Sequence, residues 1–280
     1  MRERPDRGAC RRVALQRLAA AWAAGVTTPL APAAAGASRW AWRSQFTAGL
    51  ADWPGRGPAW GADNQRFLAD PAVDGRLLRV ALQRGGIDPG SMRRRGLPPS
   101  GTGFKARLLA GGSDTATLRY RLRFADGFDF VRGGKLPGLF GGDGPSGGRM
   151  PDGRDGFSLR LMWREGGQGE VYAYLPTSRG QGSALLHGRF GFVPGRWHEL
   201  VQAVHLNTPG RDDGRLQLWL DGRQVGSVHG LRFRDSAALR VDGVFFDVFF
   251  GGNDDSWAAR ADTHVDFADF ALATDAGGPR

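Results

Sequence analysis

Four side chains capable of chemistry fall in one short stretch, residues 157–175 (FSLRLMWREGGQGEVYAYL): Ser158, Arg160, Tyr172 and Tyr174. Arg160 is a permanent cation that can grip an anion, and two phenols and a hydroxyl can hold or pass protons. Their spacing brings them together. Phe157, Leu159, Leu161 and Trp163 alternate with Ser158, Arg160, Met162 and Arg164, the period of a half-buried β-strand. Val171, Ala173 and Leu175 alternate likewise with Glu170, Tyr172 and Tyr174, and residues 165–169 (EGGQG) form a turn that tolerates positive φ. A hairpin closed symmetrically over that turn sets Arg164 opposite Glu170, Met162 opposite Tyr172 and Arg160 opposite Tyr174. Opposed side chains then lie about 5 Å apart. Ser158, Arg160, Tyr172 and Tyr174 share one face, the apolar set packs beneath it, and Arg164–Glu170 is a structural cross-strand ion pair.

Residue usage adds Lys135. Of 38 Lys plus Arg, only Lys105 and Lys135 are Lys, so a chain that writes nearly every cation as Arg keeps an ammonium in the segment 130–156 (FVRGGKLPGLFGGDGPSGGRMPDGRDG). An ammonium is a more compact charge than a guanidinium. Tyrosine is equally scarce. There are three, Tyr120, Tyr172 and Tyr174, and two of them sit in the hairpin.

The elements that must position these residues read as strands. Leu118, Tyr120, Leu122 and Phe124 alternate with Arg119, Arg121 and Arg123, a strand with one basic face. Residues 197–206 form another strand. Residues 216–220 and 224–228 flank Asp221-Gly222, a hairpin signal. The apolar run 244–250 fits a fully buried strand, and 265–272 closes the series. The segment 40–99 reads loosely: Trp40, Trp42, Phe46, Trp53 and Trp60 as packing aromatics, 76–83 as a strand, Arg93–Arg95 as a solvated basic run in a loop. There is no long helical period, internal repeat or linker after residue 40. Many strands punctuated by turns predict an all-β fold, a jelly-roll sandwich of two antiparallel sheets, over 38–280 as a single domain.

Composition narrows the class. The formal charge is +10, of which residues 1–37 hold +4 (six Arg against Glu3 and Asp6). The remaining balance, about +6, favours a polyanionic partner. The one cysteine, Cys10, precedes the domain, so neither a disulfide framework nor a Cys-ligated metal is expected there. The five His show no short metal-ligand spacing, and the Asp-rich loops 143–155 and 253–255 lack the regular spacing of a Ca²⁺ loop. No metal or cofactor is expected. Arg11-Arg12, the Ala-rich run 18–26 and Ala35-Gly36-Ala37 resemble a twin-arginine export signal over 1–37, too short to span a membrane, which places the domain in the periplasm or outside the cell.

Several separated segments, in order, carry a resemblance. KLPGL (135–139), SGG (146–148), FSLRLMWR (157–164), VYAYLP (171–176) and FFGGNDDSW (249–257) resemble polysaccharide lyase family 14, over roughly residues 40–272. The resemblance implies a β-jelly roll and β-elimination on alginate or another polyuronate. It places the family's functional Lys, Ser, Arg and two Tyr on Lys135, Ser158, Arg160, Tyr172 and Tyr174. Such a lyase removes the C5 proton of a uronate and expels O4, leaving a C4–C5 double bond. Cations on the neighbouring carboxylate stabilise the enolate-like intermediate. In that scheme Arg160 binds the carboxylate, Lys135 adds a second charge, and a Tyr with a lowered pKa is the base. Tyr174 is favoured because it should face Arg160. Ser158 and Arg164 contact substrate. The expected partner is an acidic polysaccharide met by a monomer, with no nucleic acid and no membrane. A glucuronan substrate, or a non-catalytic carbohydrate-binding module, is the alternative. A binding module would need no base, and a nucleic-acid binder is suggested by charge alone.

Overall fold

The computed structural model describes residues 40–275, so the expected export signal and Cys10 lie outside the described residues. In chain order the elements are β1 (Trp40–Ser44), β2 (Gln65–Leu68), β3 (Leu77–Leu82), α1 (Pro89–Arg94), β4 (Thr102–Arg107), β5 (Thr115–Phe124), β6 (Gly133–Gly142), β7 (Gly156–Arg164) and β8 (Gly169–Tyr174). They continue with β9 (Ser183–Leu185), β10 (His198–His205), β11 (Gly214–Leu220), β12 (Arg223–Leu231), β13 (Gly243–Phe250) and β14 (Thr263–Ala273). They build two antiparallel sheets. One runs β12-β11-β10-β5-β14-β3-β2, with β1 also on β14; the other runs β4-β13-β6-β7-β8-β9. The expected all-β sandwich is present; β3, β5, β7, β8 and β10 to β14 fall where the sequence pattern puts strands, while β1, β2, β4, β6 and β9 are additional.

Period two explains the packing. Leu118, Tyr120, Leu122 and Phe124 of β5, with Phe267 and Leu272 of β14, face Leu159, Leu161 and Trp163 of β7 and Phe246, Val248 and Phe250 of β13 in one buried cluster. The alternate residues of β5 do not form an open basic face. Arg123 pairs with Asp266 and Asp70 at 2.8 Å, Arg121 with Asp269 at 3.1 Å, and both guanidiniums lie over Trp197. This pairing leaves no open row of cations along β5.

Two segments differ from expectation. Arg93 and Arg94 end a short helix rather than lying in a loop, because Asp88 caps it by accepting from Ser91 N–H (3.0 Å) and Pro89 has φ preset for the first turn. In addition, β7 is not half-buried. Its apolar face packs on the opposite sheet, and its polar face is covered at Ser158 by loop 143–149, whose Pro145 carbonyl accepts from Ser158 Oγ at 2.6 Å, while Arg160 and Met162 are buried by their neighbours on the sheet.

Strand β6 is shaped by its own sequence. Pro137 has no N–H to give the ladder, and the register to β7 slips between Leu136 and Leu139. The facing sheet satisfies the groups this leaves. Tyr120 Oη donates to Pro137 C=O at 3.0 Å, while buried Gln202 accepts from Leu139 N–H at 2.9 Å and donates to Leu159 C=O at 2.8 Å. The third tyrosine is therefore structural, and the bulge it supports holds the strand that carries Lys135.

Candidate active site

The outer face of the six-stranded sheet carries a cleft of about 1450 Å³. Its floor includes Lys105 from β4, Phe245, Asp247 and Phe249 from β13, Lys135 from β6, Arg160, Met162 and Arg164 from β7, and Tyr172 and Tyr174 from β8. Five of the six expected site residues line it. Ser158 does not: it is fully buried, its hydroxyl engaged with the loop, so its position is that of a support rather than a substrate contact.

The hairpin register differs from the symmetric closure. Residues 165–167 turn the chain, with Gly166 and Gly167 at φ of 64° and 79°, and Arg164 N–H donates to Gln168 C=O at 2.6 Å. Centring the turn on Gly166 sets Arg160 opposite Tyr172, Ser158 opposite Tyr174 and Met162 opposite Glu170. A displacement of two residues keeps every side chain on its face, so the shared site survives. The reason for preferring Tyr174 does not, because Tyr172 is the residue that faces Arg160. Arg164 and Glu170 still meet diagonally, Nη2 to Oε1 at 2.6 Å, and Glu170 Oε2 meets His187 Nδ1 at 2.7 Å.

The central cations are buried and differently committed. Arg160, 2% exposed, pairs through Nη1 with Asp247 Oδ2 at 2.5 Å and lies over the Phe245 ring at 4.5 Å; its Nε is buried without a hydrogen-bond partner. Lys135, 9% exposed, has no carboxylate partner among the described residues. Its Nζ lies 2.8 Å from Met162 Sδ, a weak acceptor, and 3.7 Å from the Tyr172 ring centroid. Burial, then the positive charges of Arg160 and Arg164, push the Lys135 ammonium well below the ordinary lysine range. Asp247 moves up, since burial outweighs Arg160.

The phenols form a pair. Tyr172 Oη and Tyr174 Oη are 3.3 Å apart; Tyr172 also donates to Gln181 C=O, and Tyr174 Oη accepts from Gly148 N–H at 2.9 Å. Tyr172 is raised above the ordinary phenol value, by burial first and then by its bond to Tyr174, which together exceed the pull of Arg160 and Arg164. That is opposite to the expected lowering: the phenol holds its proton more firmly than usual, beside an amine that gives up its own more easily than usual. Sequence reading passed over Asp247 and Lys105. Asp247 is the one carboxylate inside the apolar run of β13, and Lys105 shares the scarcity that singled out Lys135.

Comparison with known proteins follows the same line. A profile of the family described as Polysaccharide lyase 14 matches residues 72–270. Among solved structures, the marine PL-14 alginate lyase from Aplysia kurodai is 30% identical, with a TM-score of 0.73 over 86% of this chain and 99% of that one. Alginate lyase vAL-1 from Chlorella virus is 19% identical, TM-score 0.67, over 81% and 95%. The endo-β-1,4-glucuronan lyase of Trichoderma reesei is 11% identical, TM-score 0.53, over 84% and 91%, a likeness of fold. No curated protein matches the chain.

Proposed function

The chain belongs to the polysaccharide lyase 14 family and is a polysaccharide lyase acting on uronates, and we propose that it cleaves alginate, with Lys135 and Tyr172 as its proton-transfer pair. The observation that carries this reading is the opposite displacement of the two groups, amine down and phenol up, at 3.7 Å from nitrogen to ring centroid.

The steps follow from the charges. Arg160 neutralises the substrate carboxylate, which makes the adjacent C5–H more acidic. Neutral Lys135 takes the C5 proton. The C–H electron pair becomes the C4–C5 double bond as the C4–O4 bond breaks, and the Tyr172 phenol gives O4 its proton. Proton return from the Lys135 ammonium to the Tyr172 phenolate restores both groups. Tyr174, held by Gly148, orients Tyr172 through the 3.3 Å contact. Lys135 thus acts through its free amine rather than as the second charge on the carboxylate. Arg164, in the same cleft, contacts the chain beyond the reacting sugar. One chain supplies all these groups, so the proposed steps call on neither a second subunit nor a cofactor, in keeping with a monomer. The segment 1–37 exports it to the periplasm or medium, where such polymers are met. Among the described residues no helix is long and apolar enough to cross a membrane.

The test is ultraviolet absorbance of unsaturated uronate, using the protein with polymannuronate, polyguluronate, glucuronan and hyaluronan. Product from an alginate block, abolished in Lys135→Ala and reduced more in Tyr172→Phe than in Tyr174→Phe, is the expected result. Product from glucuronan alone would move the substrate, and a greater loss in Tyr174→Phe would exchange the roles of the two phenols.

A further inference from the structure

One row of side chains crosses the six-stranded sheet at right angles to its strands. Tyr172 on β8 pairs with Arg160 on β7; Arg160 packs against Gly138 at the β6 bulge; Gly138 pairs with Phe245 on β13, and Phe245 with Lys105 on β4. At one strand spacing of about 4.8 Å each, Lys105 stands about 14 Å from Arg160 at the backbone. Their tips converge on one ring: Arg160 lies 4.5 Å and Lys105 Nζ 4.6 Å from the Phe245 centroid. Gly138 contributes no side chain to this row, and a Cβ there would strike Leu159 C=O at 2.0 Å, so the floor between the two cations stays low.

Lys105 is held ready but unpaired. Its Nζ donates to the Asp143 backbone carbonyl, and its stem runs under Gly144, where a Cβ would meet Lys105 Cε at 3.1 Å. Arg107 is committed to Asp242 and Arg149 to Asp143 and Asp155, while Arg160 gives Nη1 to Asp247 and keeps Nε without a partner. Among the described residues Lys105 makes no ion pair. It is a half-buried cation in the cleft with room for one carboxylate.

We propose that Lys105 binds the carboxylate of a second uronate residue of the same chain, making the β4 side of the cleft a charge-reading subsite. The substrate then lies along the row, across the strands, with one carboxylate on Arg160 and another on Lys105. This rests on the polyuronate reading above and adds to it a substrate direction and a minimum length.

The experiment separates the two. Binding of a hexamannuronate, and of the same hexasaccharide with its carboxylates reduced to alcohols, is measured by calorimetry on Lys135→Ala protein, which needs no turnover, with and without Lys105→Met or Lys105→Arg. The expected result is about tenfold weaker binding of the charged hexamer in Lys105→Met, as for loss of one charge-assisted hydrogen bond. Lys105→Arg should restore most of it, and the reduced hexamer should not respond. Unchanged affinity in Lys105→Met, or equal weakening of the reduced hexamer, overturns the subsite. A parent that does not bind the charged hexamer overturns it too. Binding by the wild-type chain with no unsaturated product from any polymer would instead sink the lyase reading and leave the subsite standing.

Discussion

At the scale of single residues the site turns on which group is charged. Arg and Lys are often treated as equivalent cations, yet a guanidinium does not lose its proton in proteins and an ammonium in a buried, positive setting does. Lys135 sits in such a setting. If its amine is the base, kcat/KM should rise as pH increases through its lowered pKa. It should not fall again until beyond the ordinary tyrosine value of about 10, because Tyr172 is displaced upward and keeps its proton. Lys135→Arg should then lose on the order of 10²–10⁴ in kcat at every pH, the usual worth of a positioned base. A pH–rate profile of that variant decides the matter: retained activity would return Lys135 to the role of a charge on the carboxylate. Sequence alone could find Lys135 by its rarity, but not its protonation state, which depends on burial and on two arginines from the neighbouring strand.

At the scale of elements, the β7–β8 hairpin and the β6 bulge do the positioning. Alternation along β7 and β8 was legible because the faces of a strand follow from its sequence, and a two-residue change of register preserves them. The register itself was not legible. Three of the five turn residues are glycine and permit tight backbone, and the choice of Gly166 as centre is made by the closing bond from Arg164 to Gln168 and by the packing of both strands. The bulge is a similar case. Pro137 announces a break in the ladder, but its repair comes from Gln202, more than sixty positions away in sequence and on the other sheet. Gln202→Leu should leave Leu139 N–H and Leu159 C=O buried without partners, at about 1–3 kcal/mol each. Chemical denaturation should show that loss. Turnover of the folded fraction should fall as well, since the strand carrying Lys135 loses its anchor. A variant with normal stability would mean that water replaces the amide.

At the scale of the whole molecule, the two outer faces are put to different uses. The face of the six-stranded sheet gathers cations with few carboxylates; the face of the larger sheet neutralises its arginines with Asp266, Asp70 and Asp269 and covers them with Trp197. Asp266, buried between the partly exposed Arg79 and Arg123, should be costly to remove: Asp266→Ala is expected to destabilise the fold by about 1–3 kcal/mol, as for loss of charge-assisted hydrogen bonds whose donors keep access to water. Activity per folded molecule should be unchanged, and denaturant melts read beside specific activity would show whether the two sheets are energetically separate in this way. The sequence by itself determined most of the strands, the side of each of these that enters the core and half of the residues on the cleft floor, because alternation, glycine and residue scarcity are local properties of the chain, and its separated motifs carried the family. Only the tertiary structure decided that Ser158 is a buried support, that Tyr172 rather than Tyr174 faces Arg160, that the lysine is shifted down and the phenol up, and that Lys105 joins the row. Each of these depends on which distant strand lies alongside and on how much water the packing leaves. A pattern of residue types does not contain those quantities.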